Sequence, residues 1–222
     1  MSNALITASA SRAATPDGPF ASASFGVAPL DSDGVTIATP DLSVTSPFST
    51  PDRSSVASLA LRFGRLRLSS AIGPADRVLA LPALAQYWDG TSWATNTLDS
   101  CTTVAAASVS FGSLSGTLTV ADTAVSTPIT ITAGSGSLRV PAPGGGRSGA
   151  YSVALSLGSS ATDASCMQPW TPGSGDAASA GANLSYLRGA WCSATYDKDP
   201  AARASLGRAS GNDKLVFRRE NY

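Results

Sequence analysis

The chain contains no histidine. That absence removes Ser–His–Asp and Cys–His mechanisms and the commonest zinc sites. Glutamate occurs once, at Glu220, and no close carboxylate pair sits in a cleft motif, so a two-carboxylate hydrolase is nearly dismissed. Lysine occurs only at Lys198 and Lys214, so the basic charge is almost all arginine. Charged residues are 14% of the chain and the formal net charge is zero, which leaves out the basic footprint of a nucleic-acid binder. Long apolar runs are missing too: the longest, around Val78–Ala85, is broken by Pro82, so no membrane span is expected. The N-terminus lacks a basic segment followed by an apolar one, and no signal peptide is visible. These absences predict a protein that is not an enzyme and carries no cofactor or metal.

What remains suits β structure. At 222 residues and 43% hydrophobic, the chain can bury a full core as one large all-β domain or two small ones. Ala, Ser, Thr and Gly dominate, and good helix formers other than Ala and Leu are scarce. Residues 1–15 read as a flexible leader, with Met1–Ala4 a cloning remnant that would make the chain a fragment. Pro16–Pro19 is a turn, Ala21–Pro29 a strand, and Asp31–Gly34 a turn into Val35–Ala38. Asp31–Gly34 could also open a calcium loop, but the turn is the simpler reading.

The clearest strand is Ser58–Ser69. Leu59, Leu61 and Phe63 share one parity, Leu66 and Leu68 the other, and Gly64 sits in the slip. A bulge at Gly64 would put all five on one face and the arginines on the other. Val78–Leu84 and Gln86–Trp88 follow, with Pro82 marking a bend or an edge, then a hairpin turn at Asp89-Gly90 returning through Thr91–Asn96. Val104–Phe111, Gly116–Ala121, Ile129–Thr132, Ser137–Val140 and Ala150–Leu157 read as strands, and Gly144–Gly146 as a loop tip rather than a phosphate cradle. Ala161–Gly181 is a loop, Leu184–Trp191 a strand or short packed segment, Pro200–Leu206 the one credible helical turn, and Lys214–Arg219 the final strand. Many short strands with regular turn signals imply a sandwich or barrel.

Three cysteines, Cys101, Cys166 and Cys192, suggest one disulfide and one leftover thiol in oxidising surroundings; three free cytosolic thiols is the bland alternative. Cys166 and Cys192 bracket the irregular Ala161–Gly181 loop, which has little else to fix it, so their pairing is predicted, with Cys101 the odd thiol. Trp88, Trp93, Trp170 and Trp191 could form a glycan-stacking platform, although packing in a core or at a sheet edge is the commoner use. Trp88 and Trp93 are the candidate ligand contacts. Arg62, Arg65, Arg67, Arg218 and Arg219 read as a solvated sheet face with cross-strand ion pairs, or as contacts for a partner's carboxylates.

The order of segments carries a resemblance. PDGPF and SFGVAPLDSDG, then RFGRLRL, AQYWDG, TNTLDSCT, YLRG, DPAARASLG and GNDKLVFRRENY together resemble the C-terminal domain of large bacterial surface proteins of the MshQ type, over roughly Pro16–Tyr222. Such proteins are associated with biogenesis loci of mannose-sensitive haemagglutinin pili, a type IV system. The resemblance implies export to the Gram-negative cell surface, a place at the end of a longer polypeptide with β domains upstream, and no catalytic activity. Its partners would be those upstream domains, pilus subunits or surface glycans.

It also implies an all-β, Ig-like antiparallel β-sandwich over residues 16–222, with about 104–191 an elaboration of the middle. The residues themselves add that RFGRLRL and KLVFRRE, each alternating apolar residues with Arg, would share a sheet, with the C-terminal strand closing the sandwich. The cysteine of DSCT makes Cys101–Cys192 the second-choice disulfide. Many relatives carry an Asp/Gly-rich, calcium-loop-like segment between YLRG and DPAARA. Here Trp191–Asp199 replaces it, and only Asp197 and Asp199 remain, too few for a calcium cage of six to eight oxygens.

Overall fold

A computed structural model describes residues 10–27, 54–162, 164–167 and 177–207. Several expectations lie outside those residues: the Asp31–Gly34 turn and Val35–Ala38 strand, Trp170, and the Lys214–Arg219 strand with its place beside RFGRLRL. Among the described residues the protein is all-β, with no α-helix and four short 3-10 turns. The strands are β1 (Phe20–Val27), β2 (Ser54–Leu61), β3 (Gly64–Leu68), β4 (Ala71–Pro74), β5 (Leu79–Trp88) and β6 (Trp93–Thr95). They continue as β7 (Thr103–Val104), β8 (Val109–Gly112), β9 (Ile129–Thr130), β10 (Ser135–Val140), β11 (Gly149–Leu155) and β12 (Ala201–Gly207).

The chain divides into two compact units. The first takes residues up to Phe63 together with Tyr87–Ala94; the second takes Gly64–Gln86 and everything from Thr95. In the first, β1 and β2 form an antiparallel ribbon running from Phe20 opposite Leu61 to Val27 opposite Ser54, with two register shifts.

The second unit is a β-sandwich. One sheet has the order β10–β5–β3, and the other has the order β4–β12–β11–β8. Every pairing is antiparallel except β12 with β4 among those with an assigned register. Period-2 alternation fills the space between the sheets. Leu66 and Leu68 of β3, Leu79, Leu81 and Ala83 of β5, and Leu138 and Val140 of β10 meet Tyr151, Val153 and Leu155 of β11 and Ala202, Ala204 and Leu206 of β12 in one buried cluster. Each fully buried Leu or Val contributes about 1.5–3 kcal/mol relative to exposure.

The slip at Gly64 has a different origin from the bulge expected there. The strand ends at Leu61 and a new one begins at Gly64, where the chain leaves one unit for the other. The five apolar residues therefore do not share a face: Leu59 is 56% exposed, whereas Leu66 and Leu68 are in the second unit's core.

Pro82 lies inside β5, a strand flanked on both sides, rather than at a bend or an edge. A strand residue's N–H and C=O point to the same side, and Pro82 accepts from Ser69 N–H (2.9 Å) just beyond the end of β3. Its missing donor thus falls where the β3 ladder has run out.

Two further expectations are corrected. Pro200–Leu206 is not helical: Ala201–Gly207 forms β12, paired to β11 and β4. Its buried residues, Ala202, Ala204 and Leu206, recur every second position, and tertiary burial of that face overrides alanine's helix propensity. Gly116–Ala121 is not a strand. Thr119 opens a 3-10 turn over Val120–Thr123 through a capping box, in which its N–H (2.8 Å) and hydroxyl (2.9 Å) donate to one carboxylate oxygen of Asp122.

Arg147 completes that turn with two bonds to the buried Asp122 carboxylate, at 2.9 and 2.7 Å. The Arg147 bonds first, and the Thr119 donors after them, hold the Asp122 carboxyl well below the usual carboxylate range, against a desolvation cost that opposes them. A depressed carboxylate stabilises the fold above its unfolded value, about 3.9, and that contribution is lost as pH falls through the folded value. Acid unfolding monitored by circular dichroism is expected to steepen below about pH 4. Asp122→Asn should be less stable at neutral pH and show a flatter acid limb. An unchanged acid limb in the variant would remove Asp122 from this role.

Candidate functional site

The strongest candidate is a cleft of about 410 Å3 in the second unit, lined by Arg65, Arg67, Cys166, Met167, Trp191 and Pro200 among others. Its first wall follows from the β3 alternation. With Leu66 and Leu68 turned into the core, Arg65 and Arg67 emerge on the opposite face. Arg65 Nε donates to Gln86 Oε1 (3.0 Å) on the neighbouring β5. Its guanidinium lies over the Trp191 ring, 4.8 Å from the centroid. Burial pushes the Arg65 guanidinium down to about 10; Tyr196 offsets part of this and the like charge of Arg67 adds to it. The Arg67 side chain is exposed and makes no hydrogen bond or ion pair among the described residues.

The second wall is the segment Leu184–Pro200. A 3-10 turn over Ser185–Leu187 seats Leu187 in the core. Gly189 and Lys198 then exchange backbone hydrogen bonds (2.9 and 3.1 Å), closing the intervening residues into a loop. Gly189 must be glycine for a spatial reason: a Cβ there would collide with the Trp191 indole edge. The indole Nε1–H is buried without a hydrogen-bond partner among the described residues.

Asp199 anchors this wall. It is fully buried, and Arg188 meets it with bonds of 2.7 and 3.3 Å. The backbone N–H groups of Leu157 (3.1 Å) and Ala164 (3.0 Å) also donate to it. The YLRG and DPAARA segments singled out in the sequence thus meet through one ion pair, and Asp199 ties them to the end of β11 and to the loop before Cys166. Cys166 joins Cys192 in a disulfide with a Cα–Cα distance of 5.8 Å, and Cys101 is free and exposed.

Asp197 stands apart from Asp199: it accepts from Thr195 (2.6 Å) and Ser193 (3.3 Å) and pairs with Lys198 at 3.2 Å. Hydrogen bonds from Thr195 and then Lys198 lower its carboxyl. The two surviving aspartates of the loop are therefore engaged separately and do not converge.

Trp88 and Trp93 fall in the first unit, where they pack edge to face at 5.8 Å, both half-buried. Phe63 lies 6.0 Å from Trp93, and Arg12 and Arg62 cover Phe63 and Tyr87 at 4.1 and 4.2 Å. The hairpin they flank is wider than the two-residue Asp-Gly turn expected. Asp89 N–H donates to Ser92 C=O (3.0 Å) across four residues. The Asp89 carboxylate accepts from the backbone of Ser92 (2.7 Å) and Thr91 (2.8 Å), which pushes it down to about 2. Among the described residues, the tryptophan that reaches the cleft is Trp191.

A family model described as the fourth domain of DUF6701 matches residues 62–221. The chain belongs to that family. The matched range begins beside the Phe63–Gly64 boundary between the two units, so the DUF6701 fourth domain contains the whole sandwich and the whole cleft, and β1 and β2 lie outside it. No curated protein and no solved structure matches the chain. Among the described residues, no helix is long and apolar enough to cross a membrane.

Proposed function

We propose that this chain is a non-catalytic module of an exported bacterial surface protein, acting in adhesion or pilus assembly through contacts with proteins or surfaces. The observation that carries the reading is the chemistry of the cleft. Its carboxylate, Asp199, is committed to Arg188 and two backbone donors, while what faces outward is cationic and aromatic. That lining suits holding a ligand better than transferring a proton. The Cys166–Cys192 disulfide is compatible with an oxidising exterior, and the ordered segments resembling MshQ-type proteins point to a pilus locus, a Gram-negative surface and upstream domains of the same polypeptide. The test is a pull-down with the pilus subunits of the source organism, run beside a glycan array. Capture of neither a subunit nor a surface component would overturn the reading.

A second reading, a carbohydrate-binding domain, draws support from Trp191 in the cleft and from the half-buried Trp88–Trp93 pair. Micromolar binding of a defined sugar that is lost in Trp88→Ala or Trp93→Ala, with the fold intact, would place the sugar on the hairpin. Loss on altering the cleft instead would place it in the sandwich.

A further inference from the structure

We infer that the cleft beside the disulfide is a binding site for an acidic saccharide, a sugar ring bearing a carboxylate. This rests on the reading of the chain as a contact module and names the ligand class. Three features of the cleft converge on that ligand.

The first is charge. Arg65 and Arg67 are two residues apart on β3 and share its outer face, so their side chains leave the backbone about 7 Å apart. Asp199 in the same lining is already neutralised by Arg188 at 2.7 Å. Among the described residues the lining is therefore net cationic, in a chain whose formal charge is zero. Arg65 and Arg67 repel each other, and an anion set between them relieves that repulsion. The planar guanidinium fork is the group that best matches a carboxylate.

The second is surface. Met167, Pro200 and Trp191 border the same cavity. They give it an apolar side next to its cationic one. A small inorganic anion has no use for that side, and a sugar acid has a C–H face to lay on it. The third is size and setting. A volume of about 410 Å3 falls within the range of small-ligand pockets, whereas a folded protein partner would meet a flatter and larger area. The rim is held by the Cys166–Cys192 bond and the Arg188–Asp199 clamp, so less ordering is needed when a ligand arrives.

The probes are oligogalacturonate and a sialylated trisaccharide, each paired with its neutral counterpart, titrated calorimetrically into the intact 222-residue chain. An Asp/Glu-rich peptide of equal charge is the third arm. The expected result is binding of at least one acidic sugar about tenfold or more tighter than its neutral partner, weakening as salt is raised. Arg67→Ala should lose about tenfold in affinity with an unchanged melting temperature, because the side chain is exposed and makes no hydrogen bond or ion pair among the described residues, and Arg67→Lys should recover part of the loss.

Equal binding of acidic and neutral sugars, preference for the acidic peptide, no binding of any sugar, or an Arg67→Ala variant that binds like the parent would each overturn the inference. The contact-module reading fails separately. If the acidic sugar binds but the chain captures neither pilus subunits nor cells, the ligand assignment stands and the surface role falls. If the chain captures a partner equally well with Arg67→Ala and no sugar binds, the reverse holds.

Discussion

Asp199→Ala is expected to destabilise the protein by about 3–5 kcal/mol, the cost of leaving a buried charge without its partner. In this case the orphan is Arg188, whose side chain is 21% exposed against 0% for Asp199. The loss goes beyond the ion pair. Asp199 also accepts from the backbone N–H groups of Leu157 and Ala164, and buried donors left unmet add their own penalty. Those donors sit just past β11 and just before Cys166, and Asp199 itself immediately precedes Pro200 and β12. One carboxylate thus joins three separate parts of the chain. Urea denaturation of Asp199→Ala, Asp199→Asn and Arg188→Met would measure it. Asparagine keeps one acceptor for the backbone donors but loses the charge, so it should fall between parent and alanine. Arg188→Met leaves the carboxylate its two backbone donors and should cost less than Asp199→Ala. A shift below about 1 kcal/mol for Asp199→Ala would reduce the pair to the value of an exposed salt bridge.

Removing the disulfide carries the second large effect. The bond spans 26 residues in sequence, and the chain-entropy model assigns a loop of that length roughly 3.5 kcal/mol of stabilisation through the unfolded state. Cys166→Ser/Cys192→Ser, or reduction of the parent, should lower the unfolding free energy by about that amount and bring the urea midpoint down with it. It should also redshift the Trp191 contribution to fluorescence and relieve its quenching by the neighbouring disulfide, since Trp191 adjoins Cys192 and lines the same cleft as Cys166. The two changes have different origins, and the double variant separates them: a midpoint shift without a spectral change would mean that the bond acts only on the unfolded chain. Cys101→Ser is the control and should change neither, because its thiol is exposed and unbridged.

Much of this was legible in the residues. Composition and turn spacing were enough for an all-β sandwich, because few residues favour helix and apolar positions recur every second place. The pairing of Cys166 with Cys192 followed from an irregular loop with little else to hold it. Arg65 and Arg67 could be placed on an outward face from Leu66 and Leu68 alone. The misreadings have physical causes. Ala201–Leu206 carries both a helix-prone composition and a strand alternation, and only the neighbours β11 and β4 decide between them. Thr119 to Asp122 carried the spacing of a capping box, a signal that was present and outweighed by alternation around it. The cleft itself was not legible. It requires Arg65 and Trp191, far apart in the chain, to stack across two elements, and the ion pair of Arg188 with Asp199 that positions them depends on a close chain approach that no local pattern encodes.

The two compact units have a genetic consequence. The polypeptide passes between them at Phe63–Gly64, Gln86–Tyr87 and Ala94–Thr95, so the first is assembled from two separate stretches of the gene. A recombination event cutting at the edge of the matched family, near residue 62, would carry the Tyr87–Ala94 hairpin away with the sandwich and strand the β1–β2 ribbon without it. A breakpoint upstream of β1 keeps the ribbon and the hairpin of its unit together.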